Sequence, residues 1–137
     1  MFNQMMSNYP GGFKNGVVIR GMPLHQTHPG RVFWVSNAAA AELQGMRTAS
    51  DGNDGSFTAP FATLDYAIGR CTASRGDVIF VKPGYTQTIT NATALLFDVA
   101  GVAIVGLGSG SMRPTLTFGT AATANIPVSA ANMSIQN

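Results

Sequence analysis

The sequence predicts an all-β fold: a short β-solenoid, with one α-helix towards its N-terminal side and an extended N-terminal arm. Residues 60–90, PFATLDYAIGRCTASRGDVIFVKPGYTQTIT, read as a helix, a turn, a buried strand, a sharp corner and a second strand. Short apolar segments then recur at a near-regular interval, first at 78–81, again at 102–105 and once more at 133–136. Only 10% of the 137 residues are charged while 45% are hydrophobic, a balance that excludes a disordered chain and suits stacked β-layers.

The helix follows from spacing. Phe61, Leu64, Ala67, Ile68 and Cys71 recur every three or four residues and make one apolar face. Thr58 with Pro60 supplies a start and Gly69 lies near the end, so a helix is predicted over residues 61–71. Arg75, Gly76 and Asp77 form a turn. Val78, Ile79, Phe80 and Val81 are four apolar residues in a row, which predicts a strand covered on both faces. Pro83 and Gly84 force a corner, and residues 85–90 alternate and are rich in β-branched side chains, as a strand requires.

Upstream, RVFWVSN at residues 31–37 is the first convincing strand, with Trp34 expected in the core. Residues 38–42 suit a helical turn, and residues 43–55 form a polar loop. Downstream, strands are predicted at residues 95–99, 102–105, 115–118, 126–128 and 133–136. Residues 98–106 can be laid on 127–137 with an offset of 29 growing to 31, and residues 78–81 precede 102–105 by 24. Periods of this size, each holding two or three short strands, mark a solenoid in which stacking supplies the core. Two to three turns of that kind leave the edge of the last strand bare, which favours association. The expected core and cap residues are Trp34, Phe61, Leu64, Ile68, Ile79, Val81 and Ile104. GLGSG at 106–110 has no Lys-Ser/Thr after it and reads as a corner, not a phosphate cradle.

Residues 1–30 differ from the domain at residues 31–137. Asn, Gln, Met, Pro and Gly dominate, spaced too closely for a long regular element, so an extended arm is expected. Its apolar residues are too many for a solvated linker. Phe2, Tyr9, Phe13, Val18, Met22 and Leu24 are therefore the candidate anchors that bind a neighbouring chain. The first ten positions lack a basic-then-apolar signal pattern, and no apolar run approaches the length of a membrane-spanning helix. Neither a cleaved signal nor a membrane partner is expected.

The motifs in the middle of the chain resemble the N-terminal opening of right-handed parallel β-helices of the pectin-lyase-like type. An Asp/Gly-rich loop (Asp51, Gly52, Asn53, Asp54, Gly55) precedes Pro60-Phe61-Ala62-Thr63-Leu64-Asp65-Tyr66-Ala67-Ile68, and then comes Gly76-Asp77-Val78-Ile79-Phe80-Val81-Lys82-Pro83-Gly84-Tyr85. The resemblance implies that the helix caps the first turn and that the Gly-Asp strand begins it. With the arm included, the chain resembles small virion proteins of tailed bacteriophages. That implies a structural protein placed in the virion after assembly in the host cytoplasm, a homotrimer, with the major capsid protein or another virion protein as partner.

Candidate chemistry is sparse. The resemblance implies, for lyases of that type, carboxylates holding calcium on one sheet with an arginine base and, for hydrolases, two or three facing carboxylates, but the six acids here (Glu42, Asp51, Asp54, Asp65, Asp77, Asp98) do not fall in register on successive turns. Asp51 to Gly55 resembles half of a calcium loop without the closing glutamate, and a tight turn explains the same residues. His25 and His28 have no Cys or carboxylate near them in sequence. Cys71, the one cysteine, is expected as a buried thiol. A net charge of +2 with no basic cluster gives no nucleic-acid surface. The expectation is a non-enzyme with no catalytic residues, metal or cofactor. Its expected role is a trimeric capsid decoration or cement protein, with a head-binding or base module of a glycan-contacting tail spike or fibre as the alternative. The set Trp34, Tyr66 and Tyr85 keeps sugar stacking open. A secreted carbohydrate-enzyme fragment fits the missing signal and acids least well.

Overall fold

The computed structural model describes residues 17–19, 22–24, 30–37 and 45–137. Their regular elements are mostly strands in parallel sheets, with one short α-helix. Strands β1 (Val17–Ile19) and β2 (Met22–Leu24) pair antiparallel, so this part of the predicted arm doubles back instead of running straight. The rest of the arm, including Phe2, Tyr9 and Phe13, and the helical turn expected at residues 38–42 lie outside the described residues.

The main sheet is built from β3 (Val32–Val35), β4 (Val78–Val81), β6 (Ala103–Gly106) and β8 (Ser134–Gln136), in that order and all parallel. A second parallel pair joins β5 (Thr86–Ile89) to β7 (Thr115–Phe118). The segments predicted as strands at 95–99 and 126–128 meet only in a parallel bridge between Phe97 and Val128. Pro127 explains the shortfall: it accepts from the Phe97 amide but has no N–H to return, so a full ladder cannot form there. Register corrects the sequence alignment slightly. Val78 pairs with Ala103 at an offset of 25, while Phe97 to Val128 and Ile104 to Ile135 are both offset by 31.

Helix α1 spans Leu64–Arg70, shorter than residues 61–71. Thr63, not Thr58, is its N-cap, and its hydroxyl accepts from the Tyr66 amide. The reason lies twelve residues upstream, where Asp51 accepts from the amides of Ala62 and Thr63 and from the Thr63 hydroxyl at 2.9–3.0 Å. That carboxylate fixes where the helix begins. Phe61 is thereby held extended and bridges Val35. Leu64, Ala67 and Ile68 turn into the core. Two further bonds tie the first turn to later segments: the Tyr85 hydroxyl accepts from the Leu64 amide, and Asp65 accepts from the Leu96 amide.

The core is a single cluster containing Phe33, Val35, Phe61, Leu64, Ile68, Ile79, Val81, Tyr85, Ile89, Leu95, Phe97 and Ile104. Along β3 and β4 burial alternates, which departs from the expectation of strands covered equally on both faces. Phe33 and Val35 point inward, whereas Trp34 stands half-buried on the other face, so the expected core position of Trp34 is corrected. A four-residue apolar run satisfies either pattern. Here the outward members cover one another: Trp34 stacks on Phe80 at 4.9 Å and meets Phe57 edge-on at 4.9 Å.

Candidate functional site

The Asp/Gly-rich loop frames a polar cleft of about 380 Å³, lined by Arg47, Asn53, Asp54, Ser56 and Thr58. Its oxygens already serve the backbone. Both Asp51 oxygens accept from residues 62 and 63, Asp54 accepts from the Ser56 amide, and the Asn53 amide group donates to the carbonyls of Thr48 and Pro60. Gly55, at φ 79°, lets this loop fold over Phe61 and Phe33, where a Cβ would overlap both rings. The loop is a device for closing the turn and starting α1. Among the described residues no group of three His, Cys, Asp or Glu side chains converges as metal ligands would.

Asp65 and Asp77 act alike. Asp77, with no exposed surface, accepts from the amides of Arg31 and Thr72 and forms a two-point pair with Arg75 at 2.7 Å on each side. Burial works against its charge, but the Arg75 guanidinium and the two amides outweigh that and hold its pKa at about 2. Gly30 passes so close to Asp77 that no side chain would fit there. Asp98 is exposed, and Glu42, His25 and His28 lie outside the described residues. Asp51, Asp54, Asp65 and Asp77 are each engaged by backbone amides, so their charge is spent on the fold.

Other reactive groups are quiet. The Cys71 thiol donates to the Ala67 carbonyl, and burial pushes its pKa to about 12, so it carries little thiolate at neutral pH. Tyr85, also raised to about 12 by burial, donates to Gln87 Oε1 at 2.6 Å. It is no platform for a sugar. Trp34 has one face on Phe80, and Tyr66 lies edge-on to Phe61. Lys82 carries no signal of its own in the sequence, yet it is buried, donates to the Phe57 carbonyl at 2.9 Å and sits 4.2 Å from the centre of the Phe57 ring.

The feature that stands out is the uncovered end of the sheets. Ile79, Ile104 and Ile135 occupy one column across β4, β6 and β8, and their exposures are 0, 4 and 61%. Phe97 and Val128 repeat the step at 4 and 63%, and Ile89 and Phe118 at 0 and 53%. In each of the three columns the last residue has a partner below it and, among the described residues, none above. A cavity of about 190 Å³ opens beside Ile135 and is lined by Ile126, Leu116, Ile104 and Leu64 of α1. Its walls are apolar, and from Pro114 to Asn137 the chain carries no ionisable side chain. The absence of charge after Arg113 is the sequence signal that could have located this surface.

Of the residues expected in core and cap, Phe61, Leu64, Ile68, Ile79, Val81 and Ile104 are all in the buried cluster. Of the arm anchors, Val18 lies in β1 and Met22 and Leu24 in β2, known by backbone position only, while Phe2, Tyr9 and Phe13 lie outside the described residues. No family model matches the chain, and no curated protein or solved structure is significantly similar to it.

Proposed function

We propose that the chain is a short right-handed parallel β-helix acting as a structural base module in a tailed-phage spike or fibre, without catalysis. The parallel ladders that set Val78 on Ala103, Thr86 on Thr115 and Ile104 on Ile135 support the β-helix reading, since short strands repeated at such intervals make a solenoid. The observation that carries the role is the asymmetry of the two ends. Helix α1 seals its side of the core with Leu64, Ala67 and Ile68, whereas among the described residues Ile135, Val128 and Phe118 of the last strands are exposed. A base that carries a further stack would show that pattern, sealed on one side and apolar where the stack continues. The virion setting comes from the resemblance of the loop, helix and Gly-Asp strand motifs to phage β-helix proteins.

A second reading, the trimeric capsid decoration protein, is favoured by the scarcity of charge, because charged side chains are depleted at the centres of interfaces. Under it, the major capsid protein would cover the open end. For the glycan-contacting element of the base reading, Tyr85 is buried and Trp34 stacks on Phe80, which leaves Tyr66, exposed and edge-on to Phe61, as the accessible ring among the three.

Particles assembled with and without the protein separate these roles. The base reading expects loss of the spike or fibre and of host adsorption, with unchanged heat resistance of the head. Heads that rupture at lower temperature while adsorbing normally would replace it with the decoration reading.

A further inference from the structure

The polar cleft beside the Asp/Gly-rich loop holds more hydrogen-bonding capacity than the fold uses. Asp51 gives both carboxylate oxygens to residues 62 and 63. Asp54 takes the Ser56 amide on Oδ1 at 3.0 Å, and its Oδ2 accepts from no backbone amide among the described residues. The Asn53 side chain spends its NH₂ group on the carbonyls of Thr48 and Pro60, which leaves Oδ1 as an acceptor. The hydroxyls of Ser56 and Thr58 stand 3.5 Å apart, too far for a strong bond between them. The Arg47 guanidinium lines the same cleft and makes no hydrogen bond or ion pair among the described residues. The frame around these groups is fixed by the main chain. The Arg47 amide donates to the Thr58 carbonyl, the Gly55 amide to Ala59 and the Ala59 amide to Ser56. A ligand would therefore meet groups already in position.

We infer that this cleft binds a neutral sugar unit through adjacent hydroxyls. One guanidinium and one carboxylate line it without closing into an ion pair, so an anion or a cation would meet a like charge along with its opposite. A hydroxyl has no such conflict, because it both donates and accepts. Neighbouring sugar hydroxyls can accept from Arg47 and donate to Asp54 and to Asn53 Oδ1, while the rotating hydroxyls of Ser56 and Thr58 adjust to either need. The volume of about 380 Å³ lies at the lower end of the roughly 300–1,000 Å³ of small-molecule sites, which suits a single ring. Ala59 is the one apolar side chain in the lining, and Phe57 turns away to Trp34 and Lys82. The ring is accordingly read by its hydroxyl edge and not by stacking. A zwitterion would match the two charges but leave Asn53 Oδ1 and both hydroxyls without counterparts. The inference gives the glycan-contacting element of the base reading a place on the fold, yet it stands on the cleft alone.

Amide NMR of the full chain tests it, in titrations with D-glucose, D-galactose and D-mannose and with their methyl glycosides. The expected result is a saturable shift with at least one of these sugars, concentrated at residues 47 and 52–58. Shifts retained by a methyl glycoside identify a sugar within a glycan chain, and shifts confined to the free sugars identify a soluble one. Arg47→Ala and Asp54→Asn, both at exposed positions, should weaken binding about tenfold or more. Their urea midpoints should stay nearly unchanged. The absence of saturable shifts at these residues with every sugar overturns the proposal, as do sugar shifts that persist unaltered in Arg47→Ala. Sodium phosphate, calcium chloride and glycine are titrated in parallel, and tighter binding of any of them at the cleft makes it an ion or zwitterion site instead. None of these results depends on the virion: the cleft can bind sugar where particle experiments fail, and the base role can hold where the titrations fail.

Discussion

Asp77 has no exposed surface and still keeps its charge, because four donors reach it from Arg31, Thr72 and Arg75. It therefore links the segment before β3 to the turn before β4. Asp77→Asn keeps the volume but breaks the pairing with Arg75, and should lower stability by about 2–4 kcal/mol in urea denaturation. Asp54→Asn, at an exposed turn, should leave the urea midpoint nearly unchanged. The pH dependence has a definite sign. The folded pKa of about 2 lies below the ordinary carboxylate value of 3.8, so the contribution of Asp77 is full above that value. It is lost as pH falls from 3.8 through 2. The stability gap between wild type and Asp77→Asn should be constant from pH 5 to 7 and close progressively below pH 4. A gap that persisted unchanged at pH 2 would contradict this account.

At the scale of elements, the helix depends on a contact that local sequence does not reveal. Spacing of apolar residues located α1, but its first residue is set by Asp51, which is remote in sequence and adjacent in space. Thr63→Ala should cost about 1 kcal/mol as a lost cap. Asp51→Ala should cost more, since three donors lose their acceptor together, and circular dichroism should show fraying of the first turn. The strands were legible wherever β-branched and apolar residues ran together, as in β4, β5 and β7. At residues 95–99 the expected strand is reduced to a single bridge at Phe97, because the partner segment contains Pro127. Trp34 illustrates a different limit. Apolar runs do not say which face is inward, and only the register with Phe80 on β4 settles it. The open end was foreseeable as a bare strand edge, but the identity of its three apolar residues required the columns.

For the whole molecule, the isoleucine column offers a graded measurement. Ile79→Ala and Ile104→Ala remove buried side chains and should each cost about 2–5 kcal/mol. Ile135→Ala, the same change in the same column, should cost about 0.5 kcal/mol or less in the isolated protein. If all three cost alike, the end is covered in solution. Connectivity adds a matter of timing. Pairing β4 with β6 brings Val78 to Ala103, whereas pairing β3 with β4 brings Val32 to Val78, nearly twice as far along the chain. Closing the longer loop costs about half a kcal/mol more. That difference is small, but β3 must also wait for Asp51 to start α1 and for Asp77 to bind the Arg31 amide. The strand nearest the N-terminal side of the sheet should accordingly join after β4 and β6 have paired during refolding, whereas the exposed β8 should be the first to detach on gentle unfolding. In a polypeptide emerging from the ribosome, β3 is made before its partner, so it would wait as an unpaired apolar strand until β4 had followed it out, the moment at which this molecule is most exposed to misassociation.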